Sequence, residues 1–94
     1  MHRIGVIGAG TMGNGIAHVS ALSGLDVILV DINAEFLKKG LTVISKNMDR
    51  QVQKKRISNT ERVSALEQII TSTDMNTLRD CDIVVEAATE NPKI

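Results

Sequence analysis

Aromatic residues are nearly absent from this sequence of 94 residues, which has no Trp, no Tyr and a single Phe. Proteins that bind single-stranded nucleic acids stack the bases on aromatic side chains, so this composition argues against that class. Basic and acidic residues balance at 11 each, and a net charge of zero favours neither a polyanion nor an anionic membrane surface. We therefore expect neither a nucleic acid nor a membrane as partner.

Cysteine and long apolar runs are scarce as well. Cys81 is the only cysteine in the sequence and has no internal disulfide partner, as is typical of proteins from reducing compartments. No apolar run reaches the roughly 18 residues that a membrane-spanning helix needs. The first predicted strand begins by Arg3, which leaves no room for a leader peptide. These features favour a cytoplasmic protein.

The first 31 residues have the pattern of one βαβ unit. Residues 3–8 and 26–31 are short apolar runs, typical of strands that are buried on both faces of a parallel sheet. Between them, residues 14–23 have helical periodicity, and Gly24 lies where a helix C-terminal cap is expected. Strand, glycine-rich turn, helix and strand together occupy about 30 residues, the usual size of the unit.

Further along, residues 34–55 predict a long amphipathic helix whose apolar side chains recur every three or four positions. These apolar residues are Leu37, Leu41, Ile44, Met48 and Val52. Gly40 would cost this helix about 1 kcal/mol relative to alanine, which indicates close packing at that position. Ser58 and Glu61 have capping-box spacing and predict a shorter helix that ends near residue 66 or 68.

The last third of the sequence predicts two more strands. Residues 69–72 form a third, short strand, and residues 81–88 contain a fourth, buried one. A single helical turn, capped by Thr73 or Asp74, lies between them. The whole pattern predicts an α/β fold: a truncated Rossmann-type, doubly wound parallel sheet with strand order 3-2-1-4, helices on both faces and a helical pair inserted between strands two and three.

Gly8, Gly10 and Gly13 form a GxGxxG pattern between the first strand and the first helix. Gly8 permits a tight turn, Gly10 lets a diphosphate approach the backbone, and Gly13 lets the helix lie close to the sheet. N–H groups near Thr11 to Gly13 would then face the phosphates at the positive end of the helix dipole. The alternative is a plain strand–helix turn.

Asp31 follows the second strand, eighteen positions after Gly13. A carboxylate at this place accepts hydrogen bonds from both ribose hydroxyls of an adenosine and repels a 2′-phosphate, which favours NAD over NADP. The next two residues, Ile32 and Asn33, include no arginine that would hold such a phosphate. The alternative is that Asp31 only caps the following helix.

Three segments in this order resemble the 3-hydroxyacyl-CoA dehydrogenases, including the 3-hydroxybutyryl-CoA dehydrogenases. They are residues 7–17 (IGAGTMGNGIA), residues 30–31 (VD) before the long basic helix, and residues 82–91 (DIVVEAATEN). The resemblance covers nearly the whole chain. It implies that the parent protein interconverts 3-hydroxyacyl-CoA and 3-oxoacyl-CoA with NAD, in fatty acid β-oxidation or butanoate metabolism.

The resemblance also implies what residues 1–94 lack. They would form an incomplete NAD-binding Rossmann domain, because the family's catalytic histidine and its helical dimerisation domain would lie past residue 94. No catalytic residue and no metal site are therefore expected here, and the chain alone is expected to be inactive. His18 is too early for the family's general base and is interpreted as an ordinary helix residue. The parent is expected to be a homo-oligomer through the missing domain.

Carried over residue by residue, the resemblance implies a set of NAD contacts. The turn residues are Gly8, Ala9, Gly10, Thr11, Met12 and Gly13. Asp31 would bind the adenine ribose, and Ala87 and Glu90 would lie near the nicotinamide half of the cofactor. For Glu90 the alternative is a solvated loop acid, and the role of Glu86 stays open.

Positions 38–56 hold seven basic residues and one acid, whereas the rest of the chain holds four basic and ten acidic residues. Lys46, Arg50 and Lys54 share one helical face. Asn47 and Lys54 match family positions that contact coenzyme A, so the resemblance implies an acyl-CoA substrate at this face. The alternative is a solvated outer face. Two other functions stay open: a non-catalytic cofactor-binding fragment, and a dehydrogenase of free 3-hydroxyacids.

Overall fold

The computed structural model of the chain describes residues 2–87. Its elements, in chain order, are β1 (Arg3–Ile7), α1 (Thr11–Leu22), β2 (Asp26–Val30), α2 (Ala34–Gln53), α3 (Asn59–Glu67), β3 (Ile69–Ser72), a 3-10 helix (Met75–Asp80) and β4 (Ile83–Glu86). The four strands form one parallel sheet in the order β3-β2-β1-β4. The predicted Rossmann-type sheet and its strand order are confirmed.

The two faces of the sheet are covered by different elements, because successive side chains of a strand point to opposite sides. On one face the strands pack against α1, α2 and α3, around a core that includes Val6, Leu29, Ile44 and Met48. On the other face, Ile28 and Val30 of β2 pack against Leu78 of the 3-10 helix. Helices on both faces were predicted. Within residues 2–87, three α-helices cover one face and a short 3-10 helix covers the other.

Helix α2 presents its predicted apolar stripe to this core. Leu37, Gly40, Ile44 and Met48 are buried, whereas Leu41 and Val52 are half-buried. The helix ends at Gln53, two residues before the predicted end at residue 55.

The early end of α2 has a local cause. Lys55 adopts a left-handed conformation with φ of 61°, and the Arg56 N–H donates to the Gln51 carbonyl at 2.8 Å. This pattern is a Schellman motif, in which the residue that follows the last helical turn reverses the chain. A glycine usually takes this position, so the sequence carried no signal for the end.

The other helices have the predicted caps. Gly24, with φ of 92°, ends α1 in a second Schellman motif, where the Leu25 N–H donates to the Ser20 carbonyl at 3.1 Å. Ser58 and Glu61 form the predicted capping box at the start of α3. Helix α1 begins at Thr11, three residues before the predicted start at residue 14, so the glycine turn forms its first turn.

Strand β4 differs from the prediction of a buried strand. The side chains of Ile83 and Val84 are 49% and 44% exposed. In residues 2–87, β4 pairs with β1 on one side only and is an edge strand. The apolar run predicts a strand, as observed, but the burial of its side chains depends on a neighbouring element that residues 2–87 do not supply.

Residues 2–87 contain no helix that is both long enough and apolar enough to span a membrane.

Asp82 fastens the start of β4 to the start of β1. Its Oδ2 accepts hydrogen bonds from the N–H groups of His2 and Arg3, both at 2.9 Å. These hydrogen bonds favour the charged carboxylate and hold the pKa of Asp82 below its ordinary value of 3.8. A pKa that is lower in the folded state stabilises the fold above the unfolded-state pKa, and this stabilisation is lost as the pH falls through the folded-state pKa.

We therefore expect the melting temperature of the native chain to fall more steeply on acidification below about pH 4 than that of Asp82→Asn. The asparagine lacks the titrating carboxylate, so its melting temperature reports only the other acids. Circular dichroism melts from about pH 5 to about pH 2.5 make the comparison. Parallel curves for the two proteins would show that Asp82 does not link folding to pH.

Candidate functional site

The glycine turn joins β1 to α1 at the carboxyl-terminal edge of the sheet. Gly8 has φ of 102°, a left-handed conformation that a side chain disfavours. Its N–H donates to the carbonyl of Val30 at 2.7 Å, which fixes the turn against the end of β2. The predicted reason for a glycine at position 8, a tight turn, is confirmed.

Gly13 has a different reason to be glycine. A Cβ at this position would overlap the Gly8 carbonyl oxygen and approach Val6 Cγ1 at 3.5 Å. The first turn of α1 therefore lies directly on the strand–helix turn and against Val6 of β1, and the predicted close approach of the helix to the sheet is confirmed. Gly10 has φ of −83°, which any residue adopts, so its backbone conformation does not require a glycine. Its task of leaving room for a phosphate stays a prediction.

Helix α1 starts without a side-chain cap, because its N-cap residue is Gly10. Asn33, Ser58 and Asp74 supply such caps at the starts of α2, α3 and the 3-10 helix. The first N–H groups of a helix have no acceptor within the helix, and they lie at the positive end of its dipole. The start of α1 thus combines an exposed backbone without a side chain at position 10 with a helix dipole, a combination that fits a diphosphate.

Asp31 lies immediately beside this turn. Its Oδ2 accepts a hydrogen bond from the Ala9 N–H at 2.9 Å, and its Oδ1 accepts one from the Asn33 N–H at 2.9 Å. The N-cap of α2 is Asn33, whose Oδ1 accepts from the Glu35 N–H at 2.9 Å. Asp31 is therefore not the cap of α2. The structure brings this half-buried carboxylate and the glycine turn together, as the spacing predicted.

The sequence did not predict the contact between Asp31 and Ala9. The eighteen-residue spacing placed the carboxylate near a bound ribose, but it did not reveal that the same group binds the turn itself. A signal was present in the topology: the ends of adjacent parallel strands lie side by side, and a short acid just after one strand reaches the turn that follows its neighbour.

The end of β4 borders the turn on the other side. The Ala87 N–H donates to the Ile7 carbonyl at 2.8 Å, and the Ala87 side chain is buried. Ala87 thus lies at the same edge of the sheet as Gly8, where ligands of open α/β sheets bind. Glu86 is exposed at the end of the strand. Glu90 lies outside the described residues.

Asn14 is a buried polar residue that the sequence analysis did not single out. Its side chain is 9% exposed, and no described group donates a hydrogen bond to its Oδ1. A Cβ on Gly40 of α2 would lie 2.5 Å from this oxygen, so the predicted close packing at Gly40 is confirmed and Asn14 is its partner. The signal was helical spacing, since Asn14 lies three and seven positions before the buried Ala17 and Ala21.

A cleft of about 310 Å³ lies between α1 and α2 next to this contact. Its lining residues are Thr11, Asn14, Gly15, His18, Val43, Ile44 and Asn47. His18 is half-buried, and its Nε2 lies 2.7 Å from Gln51 Oε1 of α2. Its role in the described structure is thus a contact between two helices, which agrees with its interpretation as a helix residue.

The basic residues of α2 are exposed. Lys46, Arg50 and Lys54 all point to solvent, and the Arg50 Nη1 donates to Asn47 Oδ1 at 3.3 Å. Lys54 is the C-cap residue of the helix. The half-buried Asn47 thus connects the cleft to this basic face.

Burial raises the pKa of the Cys81 thiol above its ordinary 9.0, so the thiol stays protonated at neutral pH. Within residues 2–87, no three His, Cys, Asp or Glu side chains are placed to hold a metal ion.

The family model described as "3-hydroxyacyl-CoA dehydrogenase, NAD binding domain" matches residues 3–94. The chain belongs to this family. A 3-hydroxybutyryl-CoA dehydrogenase from Bradyrhizobium diazoefficiens is 47% identical over 98% of the chain. A fatty acid oxidation complex subunit alpha from Colwellia psychrerythraea is 39% identical over the whole chain. The crystal structure of an (S)-3-hydroxybutyryl-CoA dehydrogenase from Ralstonia eutropha superposes with a TM-score of 0.93, at 43% identity over 97% of the chain.

This NAD-binding domain covers only part of each relative. The chain spans 31% of the Bradyrhizobium dehydrogenase, 13% of the Colwellia subunit and 32% of the Ralstonia dehydrogenase. The Rossmann-type fold and NAD as cofactor are thus properties of the family to which the chain belongs. The activity of the longer relatives is a separate question.

Proposed function

We propose that residues 8–13 and Asp31 bind NAD, and that the parent protein interconverts 3-hydroxyacyl-CoA and 3-oxoacyl-CoA. One observation carries the proposal: α1 starts without a side-chain cap, at a turn where the exposed Gly10 has no Cβ, beside the Asp31 carboxylate. NAD supplies hydride transfer to and from C3 of the acyl group. The residues of this chain bind and orient it.

The turn and the carboxylate have different tasks in this proposal. N–H groups at the start of α1 donate to the diphosphate, and the helix dipole favours its charge. Asp31 accepts from the ribose hydroxyls and disfavours a 2′-phosphate by charge repulsion. The next side chain, Ile32, is 87% exposed and apolar, so it offers no charge to such a phosphate. Ala87, and Glu90 beyond the described residues, are proposed to lie near the nicotinamide.

A nucleotide titration of the 94-residue chain tests this function. We expect ADP and NAD to shift the amide resonances of Gly8 to Gly13 and of Asp31, because these are the residues proposed to contact the diphosphate and the adenine ribose. The 2′-phosphate of NADP should weaken binding by about tenfold or more, because Asp31 repels it. If ADP at millimolar concentration shifts none of these resonances, the proposed function is wrong.

We propose acyl-CoA as the substrate of the parent, bound in part by Asn47 and Lys54. What supports this is an exposed basic face on an otherwise acidic chain, next to a cleft that begins at Thr11 of the glycine turn. Coenzyme A carries three phosphate groups, which suit such a face. A dehydrogenase of free 3-hydroxyacids has no use for this face.

The variant Lys54→Ala distinguishes these substrates. We expect it to weaken binding of coenzyme A to the chain by up to about fivefold and to leave the affinity for ADP unchanged, because an exposed ion pair contributes about 0.2–1 kcal/mol. Isothermal titration calorimetry at low salt measures the affinities for coenzyme A and for ADP. The matched control is Lys38→Ala, on the same helix but about 24 Å away. Equal losses for coenzyme A and ADP, or equal losses in the two variants, would rule out a coenzyme A contact at Lys54.

A further inference from the structure

Asp31 is placed to do more than bind a sugar. Both of its carboxylate oxygens already accept hydrogen bonds from the backbone, one from Ala9 in the glycine turn and one from Asn33 at the start of α2, each at 2.9 Å. These two N–H groups belong to separate segments, which the carboxylate joins. Gly8, which precedes Ala9 in the turn, is also bound to the end of β2, because its N–H donates to the Val30 carbonyl at 2.7 Å.

We infer that Asp31 is a positioning residue for the diphosphate half of the site as well as a ligand of the ribose. An ionised carboxylate has about four lone-pair sites, two on each oxygen. The Ala9 and Asn33 N–H groups use one site on each oxygen, which leaves one on each for the two ribose hydroxyls. The inference rests on the proposed function, because it assigns a second task to a residue of the same site.

The positioning task follows from the geometry of the turn. Gly8 has a left-handed backbone conformation, which lets the chain reverse. Glycine is also the most flexible residue, so it does not by itself fix the orientation of the next peptide group. The hydrogen bond from Ala9 to Asp31 fixes that peptide, and Gly10 and the start of α1 follow it directly. Without this hydrogen bond, the N–H groups that face the diphosphate would have to be ordered by the ligand itself, which costs affinity.

Inorganic pyrophosphate is a suitable probe, because it has no ribose and cannot contact Asp31 through a hydroxyl. If Asp31 acted only through its charge, then Asp31→Asn would strengthen pyrophosphate binding by removing a nearby negative group. If Asp31 positions the turn, the same variant weakens it, because an amide has only one acceptor oxygen for the two N–H groups. The two explanations therefore predict opposite signs.

We expect Asp31→Asn to weaken pyrophosphate binding to the 94-residue chain about fivefold, the equivalent of one hydrogen bond, and to speed hydrogen exchange at the Ala9 amide. Asp31→Ser should show the same loss, because its hydroxyl reaches the Asn33 N–H two residues away but is too short for Ala9. The matched control is Asp26→Asn, at the opposite end of β2, which removes the same charge and should leave pyrophosphate affinity within about twofold of native. Affinities are measured where circular dichroism shows each variant folded.

Unchanged or tighter pyrophosphate binding in Asp31→Asn and Asp31→Ser would overturn the inference. Should neither variant fold, the native chain provides the test, through the scalar coupling across the hydrogen bond between the Ala9 nitrogen and the Asp31 carboxyl carbon. We expect this coupling to persist when pyrophosphate is bound, and its loss on binding would also overturn the inference. A native chain that binds neither ADP nor pyrophosphate would instead refute the proposed function.

Discussion

Gly13→Ala is expected to lower the melting temperature of the chain by about 15 °C or to prevent folding. The new Cβ would overlap the Gly8 carbonyl oxygen. That oxygen belongs to the backbone, and the Gly8 N–H donates to the Val30 carbonyl at 2.7 Å. The oxygen therefore cannot move away from the new Cβ by a rotation, as a side chain could. Helix α1 would have to move off the sheet. Overpacking typically costs 1–3 kcal/mol, and we expect about 3 kcal/mol at a backbone contact, which is a large part of the stability of a chain this size.

Gly15→Ala is the matched control for this prediction. Gly15 lies on the same helix, two residues further on, and no atom lies within 4 Å of the Cβ that alanine would add. Because alanine favours the helix by up to about 1 kcal/mol over glycine, Gly15→Ala should be as stable as the native chain or more so. Thermal melts of the three proteins, followed by circular dichroism, give the comparison. Similar melting temperatures for Gly13→Ala and the native chain would mean that α1 does not need to lie against the turn.

Much of the fold could be predicted because local signals and the global pattern agree along most of the chain. The apolar runs around Val6 and Leu29 gave two central strands, and the stripe on α2 gave its buried face. Ser58 with Glu61 gave the start of α3. In each case the physical cause acts over a few residues, such as a hydrogen bond between neighbours or the spacing of side chains on one face.

The two features of the fold that were missed have different causes. Whether Ile83 and Val84 are buried depends on which strand lies beyond β4, and no local pattern encodes that. The end of α2 at Gln53 rests on Lys55, a residue type that rarely adopts the left-handed conformation.

In the candidate site, too, some features could be predicted from the sequence and others could not. The three glycines and the spacing to Asp31 predicted where a dinucleotide would lie. The hydrogen bond from Ala9 to Asp31 joins residues 22 positions apart, and it became visible only when β1 and β2 were placed side by side. Asn14 was missed for the same reason, because its buried position depends on Gly40 of another helix. Local reasoning thus predicted groups that would contact a ligand but missed the contacts that hold those groups in place.

Gly40→Ala is expected to destabilise the chain even though alanine is the better helix former. The added Cβ would lie 2.5 Å from Asn14 Oδ1 and 3.2 Å from its Cγ. The Asn14 amide is buried at this contact, so the new Cβ has to displace the amide toward the neighbouring cleft or push α2 away from α1. A gain of about 1 kcal/mol in helix propensity is then set against an overpacking cost of about 1–3 kcal/mol. We expect a net loss of about 1 kcal/mol, or about 6 °C in melting temperature.

The double variant Asn14→Ala with Gly40→Ala identifies the cause of that loss. It removes the amide that the new Cβ would meet, and it also removes a buried oxygen for which no described group supplies a hydrogen bond. If the contact between Asn14 and Gly40 sets the distance between α1 and α2, the double variant should melt at or above the native temperature. The two substitutions should then be coupled by about 1 kcal/mol or more, as residues in direct contact are. A double variant no more stable than Gly40→Ala alone would mean that α2 is held away from α1 by something other than this asparagine.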